Sequence, residues 1–115
     1  MIYVVDDAPE LTELYTVILE ETGYIVKAFN DRAKALKAEK ATPDLLITDC
    51  AGNSMSVDRF LVCCLGIRPT LRVLMASGYN QTDVRFFKAR PERFIQKPFT
   101  AEEFLRRVRV TLTSH

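Results

Sequence analysis

Short apolar runs and amphipathic stretches alternate along the whole chain, and no other feature restricts its fold as much. Ile2 to Val5 is an apolar run that stops abruptly at Asp6 and Asp7. Pro9 follows, suited to a helix's first turn because its missing N–H is not needed there. Leu11, Leu14, Val17 and Ile18 recur at helical spacing, and Gly23 is placed to end that helix. Tyr24 to Phe29 reads as a second strand. Asp31 is an N-cap candidate for a helix carrying Ala33, Ala35, Leu36 and Ala38, broken by Thr42, Pro43 and Asp44. Leu45 to Ile47 form a third strand that ends at Thr48 and Asp49.

After a polar loop from Gly52 to Ser56, a helix runs through Phe60, Leu61 and Leu65 until Arg68, Pro69 and Thr70. Leu71 to Ala76 is a fourth strand, stopped by Ser77 and Gly78. A weaker helical pattern spans Asp83 to Ala89, anchored by Val84, Phe86 and Phe87. Phe94 and Ile95 make a short fifth strand leading into Lys97 and Pro98. Thr100 caps the last helix with Glu103 three residues on, a capping-box spacing, and Phe104, Leu105, Val108 and Leu112 line its apolar face. Strands alternating with helices imply right-handed crossovers and a parallel sheet covered on both faces. The expected class is α/β, a doubly wound three-layer sandwich.

Composition excludes several functions. At 115 residues the chain can bury one core, and 48% hydrophobic with 27% charged residues suits a water-soluble globular domain. Sixteen basic and fifteen acidic residues leave a formal charge of +1, so no global field draws nucleic acid or an anionic membrane. No apolar run approaches the roughly 20 residues of a membrane-spanning helix. The apolar start, Met1 to Val5, does not read as a leader, and a cytoplasmic location is expected. Cys50, Cys63 and Cys64 lack metal-ligand spacing and read as buried or half-buried thiols.

Open parallel sheets bind ligands beyond the carboxyl ends of their strands. Four of the five strand candidates end at chemically useful residues: Asp6 and Asp7, Asp49, Ser77, and Lys97. Three gathered carboxylates repel one another unless a cation or an ammonium relieves them. Oxygen-only ligands favour a hard ion, Mg²⁺ or Mn²⁺. Beside such an ion a carboxylate can act as nucleophile toward a phosphoryl group, with Ser77 and Lys97 as donors to its oxygens.

Val4-Val5-Asp6-Asp7, Pro43 to Asp49, Leu74 to Tyr79 and Gln96-Lys97-Pro98-Phe99, in this order, resemble the receiver domain of two-component response regulators, the CheY-like family. The resemblance runs from Ile2 to about Leu112, so residues 1–115 are read as a single receiver domain. It implies a flavodoxin-like sheet in the order 2-1-3-4-5 with five helices. It also implies that Asp49 accepts a phosphoryl group from a sensor histidine kinase or a histidine phosphotransfer protein, in a phosphorelay and with Mg²⁺ (or Mn²⁺). The metal ligands would be Asp7, Asp49 and the Ala51 backbone carbonyl, with Asp6 more loosely engaged. Ser77, Phe94 and Lys97 would bind or report the phosphoryl group, and Ala51 and Tyr79 would tune its lifetime. The Lys97–Pro98 bond is expected to be cis. The first helix, Leu11 to Glu21, would dock the kinase. The face of the fourth helix, fifth strand and fifth helix would switch, leaving open an output domain and a homodimer formed on phosphorylation.

The resemblance departs at Gly52-Asn53, where the family commonly has Met-Pro, and at Val57, where a Gly is common, implying a looser or differently shaped loop. Rival readings are a pseudo-receiver that binds protein without phosphorylation, and an enzyme on a similar sheet. An aspartate-nucleophile phosphatase needs a second Asp two residues after the first, but Ala8 and Pro9 stand there. A flavodoxin-like cofactor site needs a glycine-rich phosphate loop, and this loop is acidic. Arg106, Arg107 and Arg109 read as a solvated helix face, with no direct nucleic acid contact and no membrane contact expected. His115 is terminal and not read as a relay.

Overall fold

In a computed structural model, which describes residues 1–38, 43–49, 56–77 and 93–113, every position of Ile2–Val5 is buried. A strand hidden at each successive residue must be covered on both faces. The chain supplies that cover in order: β1 (Ile2–Val5), α1 (Pro9–Glu21), β2 (Val26–Phe29), α2 (Arg32–Lys37), β3 (Leu45–Asp49), α3 (Val57–Ile67), β4 (Arg72–Ser77), β5 (Phe94–Gln96) and α4 (Ala101–Thr113). The strands are parallel and ordered β2-β1-β3-β4-β5, the flavodoxin-like order expected. The helix anticipated over Asp83 to Ala89 lies outside the described residues, which hold four helices rather than the five expected of the whole chain.

Alternation along the strands sorts side chains into two cores. Ile2, Val4, Leu45, Ile47 and Leu74 face α1 and α4, where Leu19, Phe104 and Val108 meet them. Tyr3, Val5, Leu46, Val73 and Met75 face α2 and α3, meeting Ala35, Phe60 and Leu61. This is the three-layer sandwich. Residues i and i+2 share a face because the side-chain period of a strand is two.

Local chemistry sets the helix ends. Pro9 opens α1, and Gly23 adopts φ 102° just past it, a conformation that costs glycine little. The Gly23 N–H donates to the Glu20 carbonyl at 3.0 Å and the Tyr24 N–H to the Leu19 carbonyl at 3.1 Å, a Schellman closure. Tyr24 is thereby used in the turn, and β2 begins at Val26, two residues later than its apolar pattern starts. The Asp31 carboxylate accepts from the Ala33 and Lys34 N–H groups, capping α2. The Thr100 hydroxyl accepts from the Glu103 N–H at 3.1 Å, the forward half of the anticipated capping box. Cys63 is half-buried and Cys64 buried, both as free thiols, while Cys50 lies outside the described residues. Among the described residues no helix is long and apolar enough to cross a membrane.

Candidate functional site

The carboxyl edge of the sheet is assembled by strand endings. β1 stops at Val5, and the next residue turns back on itself: the Ala8 N–H donates to Asp6 Oδ1 at 3.0 Å. Asn30, just past β2, donates to the Asp6 carbonyl at 2.8 Å and to Thr12 Oγ1 at 3.1 Å. The Thr12 hydroxyl in turn donates to the Pro9 carbonyl at 3.0 Å. The ends of β1 and β2 and the start of α1 are thus tied by side chains where the ladder has finished, as buried backbone groups require.

Asp49 is the last residue of β3, paired with Ala76 of β4. One carboxylate oxygen from each of Asp6, Asp7 and Asp49 lies within 4.8 Å of the others. Asp6 is 3% and Asp49 7% exposed, whereas Asp7 is open to solvent. Lys97, delivered from the far end of the chain just past β5, donates from Nζ to Asp6 Oδ2 at 3.0 Å. The same ammonium stands 3.8 Å from Asp49 Oδ1. Burial on its own would lower the Lys97 pKa; the Asp6 hydrogen bond and the Asp49 and Asp6 charges outweigh it, so the group is raised above 10.5 and stays an ammonium. The Lys97–Pro98 peptide is cis, as expected.

A floor of aromatic rings lies beside this cluster. Tyr15 of α1 stacks on Phe99 at 5.7 Å and meets Phe104 of α4 at 5.0 Å. Burial raises the Tyr15 phenol; the Lys97 charge pulls it down, and Asp6 and Asp49 push it up, so the phenol senses the cluster's charges.

The donor set suits a hard divalent ion. Carboxylate oxygens within 4.8 Å of one another are close enough that side-chain rotation could bring them to one such ion, with Asp6, Asp7 and Asp49 as the residues that would hold it. All three donors are oxygens, and a single lysine leaves the cluster's charge only partly balanced.

Of the residues singled out from sequence, Asp6, Asp7, Asp49 and Lys97 come together. Ser77 ends β4 with its main chain paired to Gln96, while its side chain, like Ala51, Gly52, Asn53 and Tyr79, lies outside the described residues. Phe94 opens β5 and packs half-buried against the core on the α2 and α3 side. Val57 is buried at the start of α3. His115 is outside the described residues.

Sequence reasoning missed three residues that shape the site and misjudged a fourth. Arg32 is 4% exposed, and its Nη2 donates to the Asp49 carbonyl. Asn30 and Tyr15 also escaped notice. Asn30 resembled turn filler, and Tyr15 sat at a helical position that any large apolar residue could fill. Arg107 corrects the solvated-face reading: Arg106 and Arg109 are exposed, but Arg107 is half-buried and its Nη1 donates to the Phe94 carbonyl at 3.0 Å.

The chain matches the family model of the response regulator receiver domain over residues 2–109. It belongs to that family. The receiver is 34% identical to the "DNA-binding dual master transcriptional regulator RpaA" of Synechocystis sp., the alignment covering 96% of this chain and 48% of the relative. It is 26% identical to "Hybrid signal transduction histidine kinase D" of Dictyostelium discoideum, over 94% of this chain and 7% of that protein. The receiver therefore spans about half the length of one of these relatives and a small part of the other. In fold it superposes on a CheY-like receiver from Methanospirillum hungatei with a TM-score of 0.86 at 24% identity, covering 96% of this chain and 91% of that one.

Proposed function

We propose that this receiver takes a phosphoryl group onto the Asp49 carboxylate from a phosphohistidine on a sensor histidine kinase or a histidine phosphotransfer protein. The observation that carries the reading is the placement of Asp49. It is 7% exposed at a strand end, beside two further carboxylates and the Lys97 ammonium. Such a set has charge to spare for a divalent ion and a donor to spare for a phosphoryl oxygen.

In the transfer an Asp49 carboxylate oxygen forms the new bond to phosphorus, and the bond from phosphorus to the histidine nitrogen breaks. The electron pair of that bond leaves with the imidazole. Asp7 and Asp49, with Asp6 behind them and the Ala51 carbonyl completing the protein ligands, would hold Mg²⁺ or Mn²⁺. The bound ion supplies neutralisation of charge on the transferring group. Lys97 releases part of its hold on Asp6 to reach a phosphoryl oxygen, and the Ser77 hydroxyl donates to another. Tyr79 shields the product while small Ala51 admits water.

Contacts made only to the phosphorylated form shift the population of the switch face built from the segment around Asp83 to Ala89, β5 and α4. Arg107 supports this reading because it links α4 to the main chain of Phe94. Exposed Leu14 and Val17 on α1 support that helix as the kinase-docking element. The domain acts as a signalling module in the cytoplasm, with at most self-catalysed phosphorylation and dephosphorylation. An adjoining output domain and dimerisation on phosphorylation complete the proposal.

Incubation with acetyl phosphate and Mg²⁺, read by intact-protein mass, tests the assignment. The expected result is a gain of one phosphoryl group in the native protein, none in Asp49→Asn, and none after chelation. No gain in the native protein overturns the reading in favour of a pseudo-receiver. An undiminished gain in Asp49→Asn moves the acceptor elsewhere.

A further inference from the structure

We propose that Arg32 is a positioning residue for the Asp49 site, fixing the main chain of the acceptor and through it the geometry presented to the divalent ion. The inference rests on the reading of Asp49 as a metal-binding acceptor. Its starting point is that Arg32 stands where an arginine does nothing for its own helix. It is the first residue of α2, at the positive end of the helix dipole, where a cation is disfavoured. Its burial, to 4% exposure, also immobilises a long side chain and removes a guanidinium from water. A side chain held at such cost must gain its compensation from what it touches.

What it touches is the end of β3. Arg32 Nη2 donates to the Asp49 carbonyl, which also accepts from the Thr48 hydroxyl at 3.2 Å. The ladder between β1 and β3 stops at Val5 and Thr48, one residue short of Asp49. From α2, which follows β2, the guanidinium crosses the end of β1 to reach β3. The Asp31 cap fixes the α2 backbone from which Arg32 projects, through bonds of 2.7 Å and 3.3 Å to the Ala33 and Lys34 N–H groups. Holding that carbonyl fixes the plane of the peptide that leaves Asp49, and so restricts the backbone angles that aim its carboxylate. An outer partner that orients a ligand commonly changes metal affinity by about 10–100-fold when removed.

Arg32→Met keeps length and apolar bulk without the donors, and Arg32→Lys keeps the charge without the planar fork. The measurement is Mg²⁺ binding by titration calorimetry in the absence of any phosphoryl donor, with urea melts of each variant to confirm folding. The expected result is a Kd about 10-fold weaker in Arg32→Met and an intermediate value in Arg32→Lys. A mere packing role would lower the melting midpoint and leave the Kd of the folded protein alone. A Kd within about 2-fold of native in folded Arg32→Met therefore overturns the proposal. If Arg32→Met does not fold, Arg32→Lys decides: a native Kd there overturns it, and a weakened Kd supports it. Native protein that binds Mg²⁺ but takes no phosphoryl group removes the acceptor reading while the Arg32 comparison still stands. Native protein that binds no Mg²⁺ overturns the Arg32 proposal itself.

Discussion

The two ends of the sheet are built on opposite plans. At the carboxyl edge, Asp6 and Asp49 are buried against Lys97 and a buried arginine, and the polar groups converge on one another. At the amino edge the charges stay in water: the Met1 amine pairs with Asp44 at 2.7 Å, their side chains 33% and 60% exposed. Beneath that surface lies an apolar hollow lined by Tyr3, Phe60, Cys64, Ile67 and Leu71. The Arg68 guanidinium closes one side by donating to the Pro43 carbonyl. One edge holds electrostatic tension that a ligand can relieve, and the other holds the ordinary packing that keeps the fold closed.

Phe60→Ala separates the two plans most strongly. Phe60 is fully buried, and its truncation removes about 3–5 kcal/mol of stability by loss of transfer free energy and creation of a cavity. Urea melts run with and without Mg²⁺ should show that loss undiminished, with the same Mg²⁺-induced increment as the native chain. An increment that vanishes in Phe60→Ala would mean that the edges are not independent.

Lys97→Met should come next. It strips the cation from Asp6, which is 3% exposed, and leaves three neighbouring carboxylates to repel one another. Removing one partner of a fully buried pair costs about 3–5 kcal/mol; with Lys97 19% exposed, about 1–3 kcal/mol is expected. Because the cost is charge imbalance, Mg²⁺ should recover most of it. Equal losses with and without Mg²⁺ would mark Lys97 as a packing residue and erase the contrast between the edges.

How much of this contrast sequence discloses depends on the kind of interaction. Strand order came with the family resemblance, whereas the acidic ends of β1 and β3 and the arrival of Lys97 were legible because those apolar runs stop at or just before charged residues, and a parallel sheet gathers such stops on one edge. The caps at Asp31 and Thr100 were legible because their partners lie two or three residues away. Arg32 and Arg107 were not, since a guanidinium that donates to a carbonyl 17 or 13 residues off has the same local pattern as one in solvent. One faint signal was present at Arg32, a cation immediately after an N-cap. The start of β2 was misplaced because Tyr24 reads as strand by composition while its N–H is committed to the turn.

Asp7→Asn should give a smaller effect of opposite sign. Asp7 is the exposed member of the carboxylate cluster. Its neutralisation relieves repulsion and raises stability by somewhat under about 1 kcal/mol at low ionic strength without Mg²⁺, the modest size coming from solvent screening. Adding Mg²⁺ should reverse the ranking, since only a form that binds the ion gains from it. Calorimetric melts of both proteins across a Mg²⁺ series check this, and a variant that is less stable than native before Mg²⁺ is added contradicts the idea of a strained acidic edge.

The smallest effect belongs to the amino edge. The Met1 amine hydrogen-bonds the Asp44 carboxyl and lowers its pKa below 3.8; slight burial opposes the shift, and the amine, Arg68 and Arg72 charges add to it. A carboxyl whose native pKa lies below its unfolded value of about 3.9 contributes stability above that value and loses it as pH falls through the native one. Asp44→Asn should thus cost less than about 0.5 kcal/mol at neutral pH, because both partners are solvated. The difference between the two urea midpoints should shrink as the pH falls below 3.8, and narrow in about 1 M salt, where the screening length drops to about 3 Å, comparable to the 2.7 Å of the pair. A loss comparable to that of Lys97→Met, or one that salt leaves unchanged, would show that burial is not what sets the carboxyl edge apart. An exposed pair would then carry as much as a buried one, and the tension ascribed to Asp6, Asp7 and Asp49 would need another source.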